Sequence, residues 1–270
     1  MPADPMFWYG LALKVAMTAG IVVAASLIVE RSGPFIGSLI ASLPTAGGAA
    51  MIILAMDHTP AFIAQSTVGS LIANAACAAF ALSYAALAQR NSLPVSLGGA
   101  LAIWLGAVFL ARLYDWTIVS AVILNAVVYP PAIWLGRRFR VDSGGGKVVL
   151  SGADLAWRAA VVTVVVMTVT TASHSIGSFA SGTFAFFPVA MGSFFIILHT
   201  RLGGPVAASV GAYVLTPIVG LGLGFVVVHL MAEPVGVWWS YLVALVVCLA
   251  WNAMLWLLRN RTKARAILAR

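Results

Sequence analysis

Runs of about twenty apolar residues follow one another from one end of this chain to the other, and no other feature restricts its fold so severely. Lipid offers no partner to a backbone N–H or C=O, so a chain that crosses it repeatedly must do so as helices or as a closed barrel. The ten-residue alternation of a membrane barrel is absent. We read nine spans, at residues 7–29, 34–56, 60–88, 94–112, 116–136, 156–175, 178–199, 204–231 and 236–258. Composition agrees: 62% of residues are hydrophobic and 8% charged, where a soluble domain carries about a quarter charged. The expected fold class is an all-α integral membrane protein of about nine transmembrane helices.

The net charge of +8 does not point to nucleic acid, because of where the cations fall. Arg137, Arg138, Arg140 and Lys147 form one cluster, and Arg259, Arg261, Lys263, Arg265 and Arg270 another, each beside an apolar span. Such clusters report topology. With both in the cytoplasm, Arg31, Arg90 and Arg201 also fall inside, and Asp57, His58, His174 and Glu233 outside; Arg112 is the sole cation in an external loop. The expectation is a multi-pass protein of a bacterial inner membrane, N-terminus outside and C-terminus cytoplasmic. No basic segment precedes the first apolar run, so a cleaved signal peptide is not expected. Cys77 and Cys248 both sit within apolar spans and read as small hydrophobes.

Residues 33–54 and 177–198 are related without a gap, 144 positions apart. Gly33, Phe35, Ala41, Pro44, Ala46, Gly48, Ile52, Ile53 and Leu54 meet Gly177, Phe179, Ala185, Pro188, Ala190, Gly192, Ile196, Ile197 and Leu198. The shared Pro-x-Ala-x-Gly within an apolar span is the informative part. Upstream, Leu11, Ala12, Lys14 and Ala16 match Leu155, Ala156, Arg158 and Ala160. By the span count the two copies cross in opposite senses, as in many transporters. The expected organisation is a first four-span repeat at 1–113, a linker helix and cytoplasmic loop at 114–154, and a second, inverted four-span repeat with a basic tail at 155–270. Pro130-Pro131 should kink or break the linker helix.

Residues 11–88, with Leu-Ala-Leu-Lys at 11–14, Gly37-Ser-Leu-Ile-Ala-Ser-Leu-Pro-Thr and the apolar run after it, resemble the GlpM family of small bacterial membrane proteins. That family has a four-span length, an early lysine and a Phe-Pro-Thr in its second span, where this chain has Leu43-Pro44-Thr45. The second unit departs from the pattern, with Arg158 for the lysine and Phe187-Pro188-Val189 for the tripeptide. The resemblance implies a membrane location and a self-associating unit, and names no substrate.

Pro44 and Pro188 each remove a backbone donor, so spans 2 and 7 should be kinked or split near mid-membrane. Small polar neighbours suit a wet cavity there: Ser42, Thr45 and Gly48 in span 2, Gly192 and Ser193 in span 7. A packing kink would fit the same residues. Lys14 and Arg158 are cations inside spans, at matched positions of the two units, where snorkelling competes with solute binding. No Asp or Glu falls at a span centre. Glu30 and His174 align at the ends of spans 1 and 6 and are the candidates for gating or coupling, against solvated helix ends as the plain alternative. The substrate-binding candidates are therefore Lys14, Ser42, Pro44, Thr45, Gly48, Arg158, Phe187, Pro188, Gly192 and Ser193.

These features point to a secondary carrier of a small anionic or zwitterionic solute, working by alternating access around broken helices 2 and 7. A passive channel of the same symmetry and a lipid-handling or scaffold protein are the alternatives. No enzyme motif, metal-ligand spacing or dinucleotide fingerprint occurs, so no catalytic residue, cofactor or metal is expected. The expected partners are the solute and membrane lipids, with the chain a monomer or homodimer.

Overall fold

The computed structural model describes residues 14–20, 23, 46–140 and 151–268, and the regular elements among them are all helical. In chain order they are α1 (Ala46–Asp57), α2 (Pro60–Leu87), α3 (Leu93–Ala111), α4 (Ile118–Gly136, followed by a 3₁₀ turn Arg137–Phe139), α5 (Gly152–Ala185), α6 (Val189–Leu202), α7 (Gly204–Val214), α8 (Ile218–Met231) and α9 (Val237–Leu268). Six stretches are long and apolar enough to cross a membrane: α2, α3, α4 with its 3₁₀ turn, α5 with α6, α7 with α8, and α9. The described residues are thus those of a helical protein of multi-pass membrane type. Glu30, Ser42, Pro44 and Thr45 lie outside the described residues.

Local sequence sets the helix starts. Thr59 caps α2 by accepting from the Phe62 amide, with Pro60 in the first turn. Thr117 with Ser120, and Ser151 with Asp154, close capping boxes on α4 and α5. Gly203, at φ 87°, ends α6 and turns the chain into α7; only glycine takes that conformation without strain.

The stretch Gly152–Leu202 holds 51 residues, roughly 76 Å if straight, against a hydrocarbon core of about 30 Å. It therefore has to turn, and it does so at two places. Gly177 sits at φ 79° and ψ 172°, and regular helix stops at Ala185 and resumes at Val189 across Phe186-Phe187-Pro188. The expected interruption at Pro188 is present. Pro217 gives a further interruption that the sequence reading missed, between α7 and α8. The opposite correction applies to Pro130-Pro131, which lie inside one continuous α4. Each proline forgoes a single hydrogen bond while its fixed φ still suits a helix.

α2 is the central helix, packed against α3, α4, α5, α7 and α8. In lipid, helices gain little from apolar burial as such and associate through close van der Waals approach at small residues. A Cβ on Gly182 would stand 1.7 Å from the Ser66 carbonyl oxygen, and one on Gly69 2.0 Å from that of Phe179. At this crossing Ser70 Oγ donates to the Gly182 carbonyl and Thr183 Oγ1 to that of Gly69. The outer helices α3, α4 and α9 instead expose Phe109, Leu110, Val127, Trp134, Trp238, Trp239 and Leu257, the surface lipid would cover. Trp251 turns inward and donates to the Thr216 carbonyl.

Contacts along α2 fix the polarity of the bundle. Its start lies by Ser173 through His58, its middle by Phe186 through Cys77, its last turn by Phe195 and His199 through Tyr84. Residues 174–202 and α2 therefore run in the same direction. Asp57, His58 and His174 share one end of the bundle; Asp154, Arg201 and the residues after α2, including Arg90, share the other. Helix boundaries also repeat: α2 spans 60–87 and α7 with α8 spans 204–231, while α3 starts at 93 and α9 at 237, each offset by 144 positions.

Candidate functional site

The most unusual side chain in the described molecule is Arg158. It sits on α5, about 9 Å along the helix from Gly152, and is only 3% exposed. Its Nε donates to Ser193 Oγ at 3.0 Å, and its guanidinium carbon lies 3.7 Å from the centre of the Phe194 ring. Nη1 is buried and has no hydrogen-bond partner among the described residues. Neither does Arg158 form an ion pair with a described carboxylate. Ser193 Oγ itself donates to the Ala190 carbonyl, so its proton is committed and its lone pair orients the guanidinium. Two expected site residues, Arg158 and Ser193, thus meet across α5 and α6.

Arg158 contrasts with the residue aligned with it in the sequence. Its counterpart Lys14 forms an ion pair with Asp57 at 2.6 Å, the two side chains being 22% and 28% exposed. The residue 144 positions after Asp57 is Arg201. Arg158 cannot pair with a like charge, and Arg201 takes Asp154 instead, one turn before Arg158 on α5. Lys14 closes on an acid, and of the cations Arg158 and Arg201 one is left over. Lys14 and Arg158 consequently stand at different ends and do not form one site.

The other expected residues are distributed around the helix break. Phe187 packs edge-on against Trp104, with ring centres 5.1 Å apart, and Pro188 caps α6. Gly192 faces α3, where an added Cβ would come within 3.8 Å of Leu97. Gly48 lies on the far side of the break, in an apolar cavity of about 240 Å³ bounded by Phe186, Phe225 and Tyr241. Packing, as much as polarity, shapes this region.

His174 belongs to a cluster at the end opposite Arg158. Its ring centre is 4.3 Å from that of His58, which stacks on Phe62 at 3.8 Å. His58 Nε2 is 2.7 Å from Ser173 Oγ. Because that hydroxyl donates to the Thr170 carbonyl, the imidazole is the donor to Ser173. Burial, then His174 and Lys14, push the His58 pKa below its ordinary value, with Asp57 opposing.

Sequence reasoning missed Phe194 as the face on which Arg158 rests and Asp57 as the partner of Lys14. The second was available: extending the repeat alignment by three residues beyond Leu54 and Leu198 sets Asp57 against Arg201. Among the described residues no group of His, Cys, Asp and Glu is arranged to hold a metal ion. No family model, characterised protein or solved structure matches this chain.

Proposed function

We propose that this protein is a secondary carrier, not an enzyme, that moves a small anionic or zwitterionic solute across a bacterial inner membrane. The observation that carries the proposal is Arg158, a buried guanidinium with an unpartnered Nη1 and no acidic partner among the described residues. An uncompensated cation in this setting costs several kcal/mol, and an entering anion removes that cost. A carboxylate or phosphate offers coplanar oxygens to the guanidinium fork, which an ammonium could not match in geometry. Arg158 is the binding cation, and Ser193 and Phe194 hold its plane.

The architecture in this proposal is two inverted four-span units with α4 as the linker, nine crossings in all and the N-terminus outside. Helix boundaries offset by 144 residues support it. So do the ion pairs Lys14–Asp57 and Asp154–Arg201, each joining the start of a unit's first span to the end of its second, at opposite ends of the bundle. The cations Arg90, Arg137, Arg138, Arg140, Arg201 and Arg259 gather at one end, which the positive-inside tendency makes cytoplasmic. Alternating access then proceeds by one unit rocking against the other, with Arg158 exposed to each side in turn. The described acids Asp57, Asp115, Asp154 and Glu233 all lie at span ends or in loops, which favours exchange or uncoupled movement over proton or sodium coupling.

The test is a thermal-shift screen of purified protein against small carboxylates, phosphates, amino acids and matched cations, followed by uptake into vesicles of any solute that binds. Stabilisation by an anion or zwitterion, lost together with uptake in Arg158→Gln, is the expected result. Uptake by Arg158→Gln at the wild-type rate overturns the proposal.

A further inference from the structure

A cleft of about 710 Å³ opens on the apolar exterior between α4 and α9. α4 packs on α2 and α8, and α9 packs on α8, so α2 and α8 form the floor. Val122 and Ile133 line one wall, Met254 and Leu258 the other, and Leu223 and Val226 the floor. The two ends differ chemically. At one stands Arg137, the C-cap of α4, which makes no side-chain hydrogen bond or ion pair with a described residue. Its neighbours are engaged elsewhere: Arg138 lies over Trp134, and Arg140 over Tyr213 with a hydrogen bond to Thr216.

Deep in the cleft is a polar knot. Asn125 Nδ2 donates to the carbonyls of Leu71 and Ala121, which fixes its oxygen toward Asn74. Asn74 Nδ2 donates to that oxygen at 3.1 Å, and its backbone carbonyl accepts from Tyr129. Asn74 Oδ1 is left without a partner, although the residue is 2% exposed. Flipping the amide would set two oxygens against each other. This knot is where the apolar part of the cleft ends.

Twelve residues of α4 separate Asn125 from Arg137, roughly 18 Å along the helix. One leaflet of a bilayer has a hydrocarbon depth of about 15 Å. A cation at the level of the headgroups above an apolar channel one leaflet deep matches a single amphiphile. We propose that this cleft is a binding site for an anionic phospholipid of the leaflet at the basic end, with its phosphate on Arg137 and one acyl chain lying between α4 and α9 toward Asn74. Anionic headgroups are the counterpart of basic pockets at this level. A second copy of the chain is a poorer occupant, because its own Arg137, Arg138 and Arg259 would meet like charges. The site is separate from Arg158 and does not depend on the carrier function.

The experiment reconstitutes the full chain in nanodiscs of phosphatidylcholine with phosphatidylglycerol, releases it into mild detergent and counts retained lipids by native mass spectrometry. Phosphatidylglycerol should be retained over phosphatidylcholine by about fivefold per available lipid, the preference that about 1 kcal/mol from one cation near the membrane surface converts to. Arg137→Gln should remove that preference, and Leu223→Trp, which fills the cleft floor, should lower retention of both lipids. Equal retention of the two lipids by the wild type, or an unchanged preference in Arg137→Gln, overturns the proposal. A dimer that Leu223→Trp abolishes would assign the cleft to a second copy and overturn it as well. Arg137 is exposed, so its variant tests the proposal even if Leu223→Trp does not fold.

Discussion

Replacing Arg158 with methionine should leave the protein as stable or more stable while destroying anion binding. Burying a charge without a counter-ion costs several kcal/mol after relaxation, and Arg158 is 97% buried by its 3% exposure, with Nη1 unpartnered. Two contacts offset that cost. A hydrogen bond from a charged donor, here Nε to Ser193, contributes about 1.5–3 kcal/mol, and a desolvated cation over the Phe194 ring about 2 kcal/mol. Methionine has a similar reach, carries no buried donor, and gains about 0.3–1.5 kcal/mol from sulfur against the ring. Ser193 keeps its bond to the Ala190 carbonyl and is not orphaned. These terms nearly cancel, and replacements of buried ions by apolar side chains accordingly run from neutral to a gain of about 1–4 kcal/mol, that is, from no change to several degrees in Tm at roughly 2–4 °C per kcal/mol.

The assay is thermal unfolding in detergent, with and without the anion that stabilises the wild type. Lys14→Met is the control: its pair with Asp57 is partly exposed, so its loss should cost no more than about 1 kcal/mol. The reasoning is refuted if Arg158→Met melts below the wild type by the equivalent of about 2 kcal/mol or more, because Arg158 would then be holding the fold together. It is refuted equally if the variant keeps the anion-induced shift.

Three further outcomes follow from the geometry. Gly182→Ala should strongly lower stability or yield, because its Cβ would meet backbone 1.7 Å away, whereas Gly106→Ala, with nothing within 4 Å, should be neutral or gain up to about 1 kcal/mol from helix propensity. Since the His58 pKa is lowered in the folded protein, its neutral state contributes stability that is fully present above pH 6.5, the ordinary value, and is lost as pH falls through the lowered one. Melting temperature measured against pH should therefore drop on the acid side, and His58→Gln should flatten the drop. In a Cys77→Ala/Cys248→Ala background, a cysteine in place of Arg112 should react with an impermeant thiol reagent in intact cells, and one in place of Arg90 only after the membrane is opened; the reverse pattern would invert the proposed orientation.

How far the sequence could be read depended on what each pattern encodes. Hydropathy placed α2, α3 and α4 and the start of α9 within two residues, because a long apolar run between turn signals has one stable form in lipid, whereas α9 continues ten residues past its expected end into the basic segment. Pro188 announced its interruption for the same kind of reason, since a missing donor is visible in one letter. Helix faces were a different matter. A span that is apolar all round has no moment to show which side is inward, so nothing in the sequence distinguished Asn74 and Asn125, which bond to each other, from polar residues facing a pore. Pro130-Pro131 and Pro217 look alike as sequence, yet helix continues through the first and is interrupted beside the second, because neighbouring helices decide whether a lost bond is tolerated. The charge pattern was legible and only half used. Lys14 and Arg158 match each other as cations, and Asp57 and Arg201 oppose each other; together these four letters give one closed ion pair and two cations in need of another acid. Arg201 finds its acid in Asp154, and the cation that remains is Arg158. The charge difference between the two aligned sequence segments, more than their similarity, is what singles out the residue on which the proposed binding rests.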